Sequence, residues 1–363
     1  YRPFRWGPNY FITMGIRSME WDEWLQLDNR FPAYHAIKVH RMATLGDSVT
    51  RTLTPQILYS FLYIAKELVH EMAEYLSRRF PQVYSVVRKP HVSDDFGWHG
   101  EGEIHRITIT PLGVTYDLAV EDPMSVAGLL VQDDLALMLE GSDGRYYFQA
   151  GTICLPGSWR LTDKIGLPLE EIHIRGKVPQ YEQKLMHSMA RFFTKMRVSK
   201  PVTRHNYFIQ VIDPTQANSI DPDELAWSEM TSGPEDVFDQ ATKQPSLAAQ
   251  ASGGINFQPP QPPHDVRDVR FRTERQSLRR LPRSGAIVFT IRTYIDPIVE
   301  LAKEPGVPGR LASGIRSWPE DVASHKGLPL YRDVTLPYLD ACHSRQVAEG
   351  RCVDGKTQTN YPF

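Results

Sequence analysis

"RTERQSLRRLPRSGAIVFTIRTY", residues 272–294, carries six arginines and no lysine. Within it apolar and polar residues alternate in "FTIRTY" (289–294). With its flanks it reads as two strands, "DVRFRTERQSL" (268–278) and "AIVFTIRTYI" (286–295), on either side of a turn at Pro282 and Gly285. In an extended 268–278, Arg270, Arg272 and the other even positions share one face. Arg279, Arg280 and Arg283 are then expected at the turn, and Arg292 inside the second strand. An arginine in an apolar strand needs an anionic partner. Arginine in place of lysine suits a carboxylate or phosphate gripped by two bonds. Three partners could answer: internal acids such as Glu274, a ligand carboxylate, or an acidic protein.

Outward from these strands the pattern changes several times. Residues 54–79 predict an amphipathic helix, with Ile57, Phe61, Ala65, Val69, Met72 and Tyr75 three or four apart. Residues 1–40 read as an aromatic, proline-punctuated meander with one short helix near Trp21–Leu27. "HRITITPLGVTYDL" (105–118) and residues 133–157 predict strand pairs, the second turning at Gly141–Gly144. A short helix is expected over about 162–173, a long one from Gln180 to about Arg197 after Pro179, and a strand over 205–213. Residues 214–264, rich in Pro, Ser, Gln, Asp and Gly, read as an insertion or surface loop. Helices and loops are expected after 296. The order predicts an α+β fold, an antiparallel sheet covered by helices in one domain over 1–363, with strands from both sides of the central helices joining one sheet.

Composition excludes several classes. The 363-residue chain has a formal charge of −2, so no overall basic field draws it to nucleic acid. Its three cysteines, Cys154, Cys342 and Cys352, form no C-x-x-C pair and cannot supply the four thiolates of a plain iron–sulfur cluster. No phosphate-binding glycine motif and no G-x-S-x-G occurs. The best apolar run, 57–69, is too short to span a bilayer and contains Lys66 and Glu67. A cytoplasmic location is expected, with a lost signal or anchor left open because the chain begins at Tyr1 rather than Met.

Three groups could carry chemistry. His173 ends a short helical stretch in "LEEIHIRGKVPQYEQ" and could point into a pocket as a metal or haem ligand; a lone histidine is more often structural. "HGEGEIH" (99–105) sets His99, Glu101, Glu103 and His105 at period two, a metal-ligand pattern that also suits an exposed turn. Cys154 could be a thiolate ligand, though a strand cysteine is usually a small hydrophobe.

Residues 133–193, "KPVTRHNYFIQ" (200–210), 272–297 and the opening "YRPFRWGPNYFITMGIRSMEWDEWLQLD" (1–28) together resemble the haem-dependent oxidative N-demethylase family. The resemblance spans most of the chain apart from the Pro-rich insertion. It implies a PAS-like antiparallel sheet with helical additions that holds haem b non-covalently through a histidine. It implies oxidative demethylation of a small secondary amine such as dimethylamine, using O2. Electrons would come from a separate NADPH-dependent reductase bearing FMN and 2Fe–2S centres, and tetrahydrofolate would capture formaldehyde. His173, at the "IH…VP.Y" position, becomes the expected axial ligand, with His205 and His187 in reserve. Trp159, Arg204, Asn206, Arg275 and Arg292 are expected near the haem, and the arginines gain the propionates as a candidate anion. "HIRGKVPQY" is longer than the family's expected "H.PVPGY", and with the long insertion this leaves a larger N-methyl amine or a natural-product intermediate as other substrates. Two other readings stand beside this one: a haem-binding gas or redox sensor of PAS type without catalysis, and a haem-free metal enzyme using 99–105.

Overall fold

A computed structural model describes residues 2–7, 9–53, 61–90, 101–155, 160–211, 238–239, 244–245, 262–263 and 265–353. Its strands are β1 (Arg17–Ser18), β2 (Thr50–Thr52), β3 (Tyr84–Arg88), β4 (Ile104–Ile109), β5 (Val114–Asp117), β6 (Asp134–Glu140), β7 (Tyr146–Thr152), β8 (Val202–Val211), β9 (Phe238–Asp239), β10 (Gln244–Pro245), β11 (Val269–Arg280) and β12 (Ile287–Pro297). Seven of them form one antiparallel sheet in the order β1-β8-β11-β12-β6-β7-β2. β3, β4 and β5 form a second sheet, and β9 pairs with β10. The α+β architecture follows, and strands before and after the central helices do share the large sheet. Apart from 238–239, 244–245 and 262–263, the insertion expected over 214–264 lies outside the described residues.

The Arg-rich strand is the centre of that sheet. β11 pairs with β12 from Arg270↔Pro297 to Arg280↔Ile287, and with β8 from Val269↔Val211 to Leu278↔Val202. It therefore runs to Arg280, so Arg279 and Arg280 are strand residues and not turn residues as expected. The chain turns only after Leu281, where Gly285 takes φ 70°, a conformation glycine adopts at no steric cost.

Among the described residues ten helices cover the sheets: α1 (Phe31–Leu45), α2 (Phe61–Arg79), α3 (Pro123–Leu129), α4 (Leu161–Lys164), α5 (Leu169–Arg175), α6 (Met186–Lys195), α7 (Ile298–Leu301), α8 (Val307–Arg316), α9 (Glu320–His325) and α10 (Leu328–Ala348). On one face Leu135, Leu137 and Val288 pack with Ile64, Leu68 and Met72 of α2 and with α3; this is the α2 face. On the other, Ala136, Met138, Leu278 and Ile287 pack with Leu161, Leu169, Leu185 and Phe193; this is the α5 face. The C-terminal helices close the far end of β8 and β11 over Ile209, Val211, Val269 and Phe271. Each large apolar side chain buried in these clusters contributes roughly 1.5–3 kcal/mol.

Two expectations change. The N-terminal meander contains the 15-residue α1, while the helix expected over Trp21–Leu27 shrinks to one tight turn, Trp21–Glu23. Helix α1 was hidden because its buried side includes His35 and Lys38. The Lys38 ammonium donates to the carbonyls of Gly128, Val131 and Asp133, fastening α1 to the end of α3. The helix expected over 162–173 is two, α4 and α5, and the one expected from Gln180 opens as a π-helical turn, Tyr181–Leu185, before α6.

Candidate functional site

Helix α5 begins after Pro168, buries Leu169 against the sheet and carries His173 one turn later. The His173 Nδ1–H donates to the Leu169 carbonyl at 2.7 Å. A carbonyl only accepts, so Nδ1 holds the proton and Nε2 keeps its lone pair. The ring stacks on Tyr181, centroids 4.7 Å apart and planes 11° from parallel. Burial, and then the positive charge of Arg204, push the imidazole down to about 4, against the backbone bond to Leu169. The chain between His173 and Tyr181 is forced. Lys177 and Gln180 take φ of 47° and 55°, and the π turn follows directly. Such irregularities gather at functional positions.

The strands beneath turn polar where His173 stands. Arg204 of β8 lies opposite Gln276 of β11, and Asn206 opposite Glu274. The Arg204 Nε and the Gln276 Oε1 are both buried without a hydrogen-bond partner among the described residues. Burial lowers the Arg204 pKa, and Glu274 and Tyr10 oppose the shift. Arg204 and His173 both keep accessible surface, and the charge of the one acts on the imidazole of the other. Glu274 is itself engaged, accepting from Arg272 Nε at 2.9 Å and Gln276 Nε2 at 2.8 Å. Asn206 turns its Oδ1 onto the Tyr207 N–H. Beside this floor Lys326 is buried over the rings of Phe208 and Tyr207, donates to the Tyr207 carbonyl at 2.6 Å, and is lowered by burial to about 7.

The remaining arginines find partners inside the protein. Arg275, opposite His205 and Arg292 in the register, faces α2; its guanidinium donates to the Trp24 carbonyl at 3.3 Å and to that of Glu23. Arg292, 1% exposed, pairs with Asp28 at 2.7 Å, donates to the Thr293 carbonyl, and lies between the Tyr34 and Tyr294 rings at 4.3 and 4.6 Å. Arg279 pairs with Glu71 at 2.8 Å over the Trp24 ring. Arg280 donates to the Tyr146 hydroxyl and the Phe193 carbonyl.

Of the expected set, the structure brings His173, Arg204 and Asn206 to the α5 face and puts Arg275 and Arg292 on the α2 face. His205 faces the α2 side, and His187 is exposed on α6. Trp159 and His99 lie outside the described residues. Glu101 pairs with Arg78 and Arg88, Glu103 with Lys66 and Lys89, and His105 lies 3.5 Å from Asp117. No cluster of metal-binding side chains exists among the described residues. Cys154 is fully buried, and burial raises its thiol to about 12, far from a thiolate. Glu274 was expected as an internal partner of the arginines, and Arg272 does pair with it at 2.9 Å; Gln276 and Lys326 were not anticipated. The even numbering that Gln276 shares with Arg270 and Arg272 was the available signal for it.

One histidine with a fixed tautomer and an unused Nε2, above an arginine and a glutamine with unused polar atoms, is a donor set suited to an iron porphyrin with acidic side arms. Residues 15–336 match the family described as Haem-dependent oxidative N-demethylase, alpha subunit-like, a description that carries haem dependence, oxidative N-demethylation and a partner subunit, and the chain belongs to that family.

Proposed function

We propose that this chain is the haem-holding subunit of an oxidative N-demethylase for a small, dimethylamine-like secondary amine. O2 is the oxidant, and a separate NADPH-dependent reductase with FMN and 2Fe–2S centres supplies electrons. The observation that carries this reading is the poise of His173: Nδ1–H committed to Leu169, Nε2 available, ring held by Tyr181. That is the arrangement that makes a histidine a directed metal ligand. Haem b would be held through His173 Nε2 without covalent attachment, on the α5 face of a sheet that serves as a PAS-like scaffold. Bound there, haem supplies O2 activation and one-electron chemistry.

The chain's residues set the conditions. The buried imidazole resists protonation, so Nε2 stays a ligand well below neutral pH. Arg204, whose Nε has no hydrogen-bond partner among the described residues, is positioned to pair with a propionate. Gln276 offers its unused amide oxygen to a donor in the cleft. Lys326, with a pKa near 7, can hold or release a proton at Nζ close to Glu274 and Arg204. Arg275 and Arg292, matched inside the protein, take no part. Two electrons, two protons and one O2 convert one N-methyl group to formaldehyde, releasing the demethylated amine and water. Capture of the formaldehyde by tetrahydrofolate belongs to the same reading.

The test is the absorption spectrum of the full chain after haem reconstitution, oxidised and dithionite-reduced, for wild type, His173→Ala and His205→Ala. A Soret band lost or shifted in His173→Ala, and kept in His205→Ala, is expected. A band indifferent to His173→Ala would move the ligand elsewhere, and no band in wild type would end the haem reading.

A further inference from the structure

Several exposed cations among the described residues have an acid at hand. Arg106 is paired with Asp117, Arg267 with Asp265, Lys303 with Glu300 and Arg316 with Asp340. The segment just after His173 is different. Lys177, Lys184, Arg191, Lys195, Arg197 and Lys200 are all exposed, and none has a side-chain hydrogen bond or ion pair among the described residues. Glu182 is the one exposed acid between Ile174 and Lys200. A chain of net charge −2 therefore gathers an uncancelled positive field on one strip.

The strip has order. Lys184, Arg191 and Lys195 are seven and four residues apart, one stripe of a helix. Leu185, Met189 and Phe193 bury the opposite side. Ile174 and Val198, 37% and 36% exposed, add apolar contact at its two ends. Apolar points among charges that steer approach are the make-up of a transient protein interface. His173 is adjacent in sequence to Ile174 and stacks on Tyr181, three residues before Lys184.

We infer that this basic α5–α6 strip is the docking surface for an acidic electron-donating protein. The inference rests on the haem reading above, which requires electrons that the chain cannot draw from a cofactor of its own: it has no nucleotide or flavin motif and too few cysteines for an iron–sulfur cluster. Electron transfer falls steeply with distance, and the strip follows in the chain, and packs in one apolar cluster with, the helix that carries the proposed ligand. Charge complementarity makes the partner acidic. Contact through a few lysines and arginines makes its binding fast, weak and salt-sensitive.

The test uses the full chain with an acidic 2Fe–2S ferredoxin as probe. Three proteins are compared: wild type, Lys184→Glu/Arg191→Glu/Lys195→Glu, and the charge-matched control Arg106→Glu/Lys303→Glu/Arg316→Glu. One arm measures binding to immobilised ferredoxin between about 20 and about 200 mM salt. The other follows haem reduction in the Soret region by reduced ferredoxin and by dithionite. Binding and ferredoxin-driven reduction should fall about tenfold or more in the strip variant, and with rising salt in wild type. Reduction by dithionite should not change. Equal behaviour of strip and control variants overturns the proposal. So does tighter, strip-dependent binding of an RNA duplex or of anionic phosphatidylserine vesicles. If haem never loads, the haem reading fails while the binding arm still decides the docking surface.

Discussion

Arg204 and Arg275 occupy adjacent cross-strand positions, because Gln276 lies opposite Arg204 and Arg275 opposite His205. Their surroundings differ completely. Arg275 and its cross-strand neighbour Arg292 point into the α2 face, where backbone carbonyls, Asp28 and two tyrosine rings satisfy them. Arg204 points into the α5 face with Nε unpaired, over a glutamine whose oxygen is also unpaired. One strand alternation thus separates cations that hold the protein together from a cation that is open to something else. Residue type says nothing about which is which. The partner does.

The sharpest way to break this contrast is Arg292→Met. It removes the charge that compensates Asp28 and the buried Asp133, so it should cost about 3–5 kcal/mol of unfolding free energy in urea titration. The folded fraction should still bind haem in full. Arg204→Met should do the reverse. The haem-free chain should be as stable as wild type or slightly more so, since a cation with a buried, unpartnered Nε is removed. Haem affinity in a competition assay should fall by about 1.5–3 kcal/mol, the worth of a charge-assisted hydrogen bond. If Arg204→Met destabilises the haem-free chain as much as Arg292→Met, the distinction between the two faces is wrong.

The smallest effect is in acid. His70, on α2 beside Glu103, is pushed by burial to about 4 from an unfolded value near 6.5. Between these values the unfolded chain binds a proton that the folded chain does not, so stability falls as pH drops from 6.5 to 4. The slope from this group is on the order of 1 kcal/mol per pH unit. His70→Gln should flatten the denaturation-versus-pH profile in that window and leave it unchanged above pH 7.

Much of this was legible in the sequence, for particular reasons. The strands β11 and β12 could be read directly, and so could the hairpin at Gly141–Gly144, because a strand and a tight turn are local patterns. Helix α1 was not, because Lys38 and His35 occupy buried positions and break the apolar stripe that identifies a helix. The extent of β11 was misjudged at Arg279 and Arg280, which stand next to the turn read from Pro282 and Gly285; in the fold Glu71, Tyr146 and the Phe193 carbonyl, all distant in sequence, meet them. The resemblance pointed to His173 and Arg204 together with Arg275 and Arg292. What it lacked was parity: 275 is odd where 270, 272, 274 and 276 are even, and that single unit places Arg275 on the other side of the sheet.

The pairing of β8 with β11 has one more consequence. Val211 and Val269 lie directly opposite each other, so the long stretch joining them starts and ends at one fixed gate in the sheet. Closing a loop costs only logarithmically more as it lengthens, about 0.6 kcal/mol per doubling. Natural variation can therefore rewrite that stretch almost freely without disturbing the strands that carry Arg204 and Gln276. The same gate is the place to splice in a fluorescent reporter or an affinity handle.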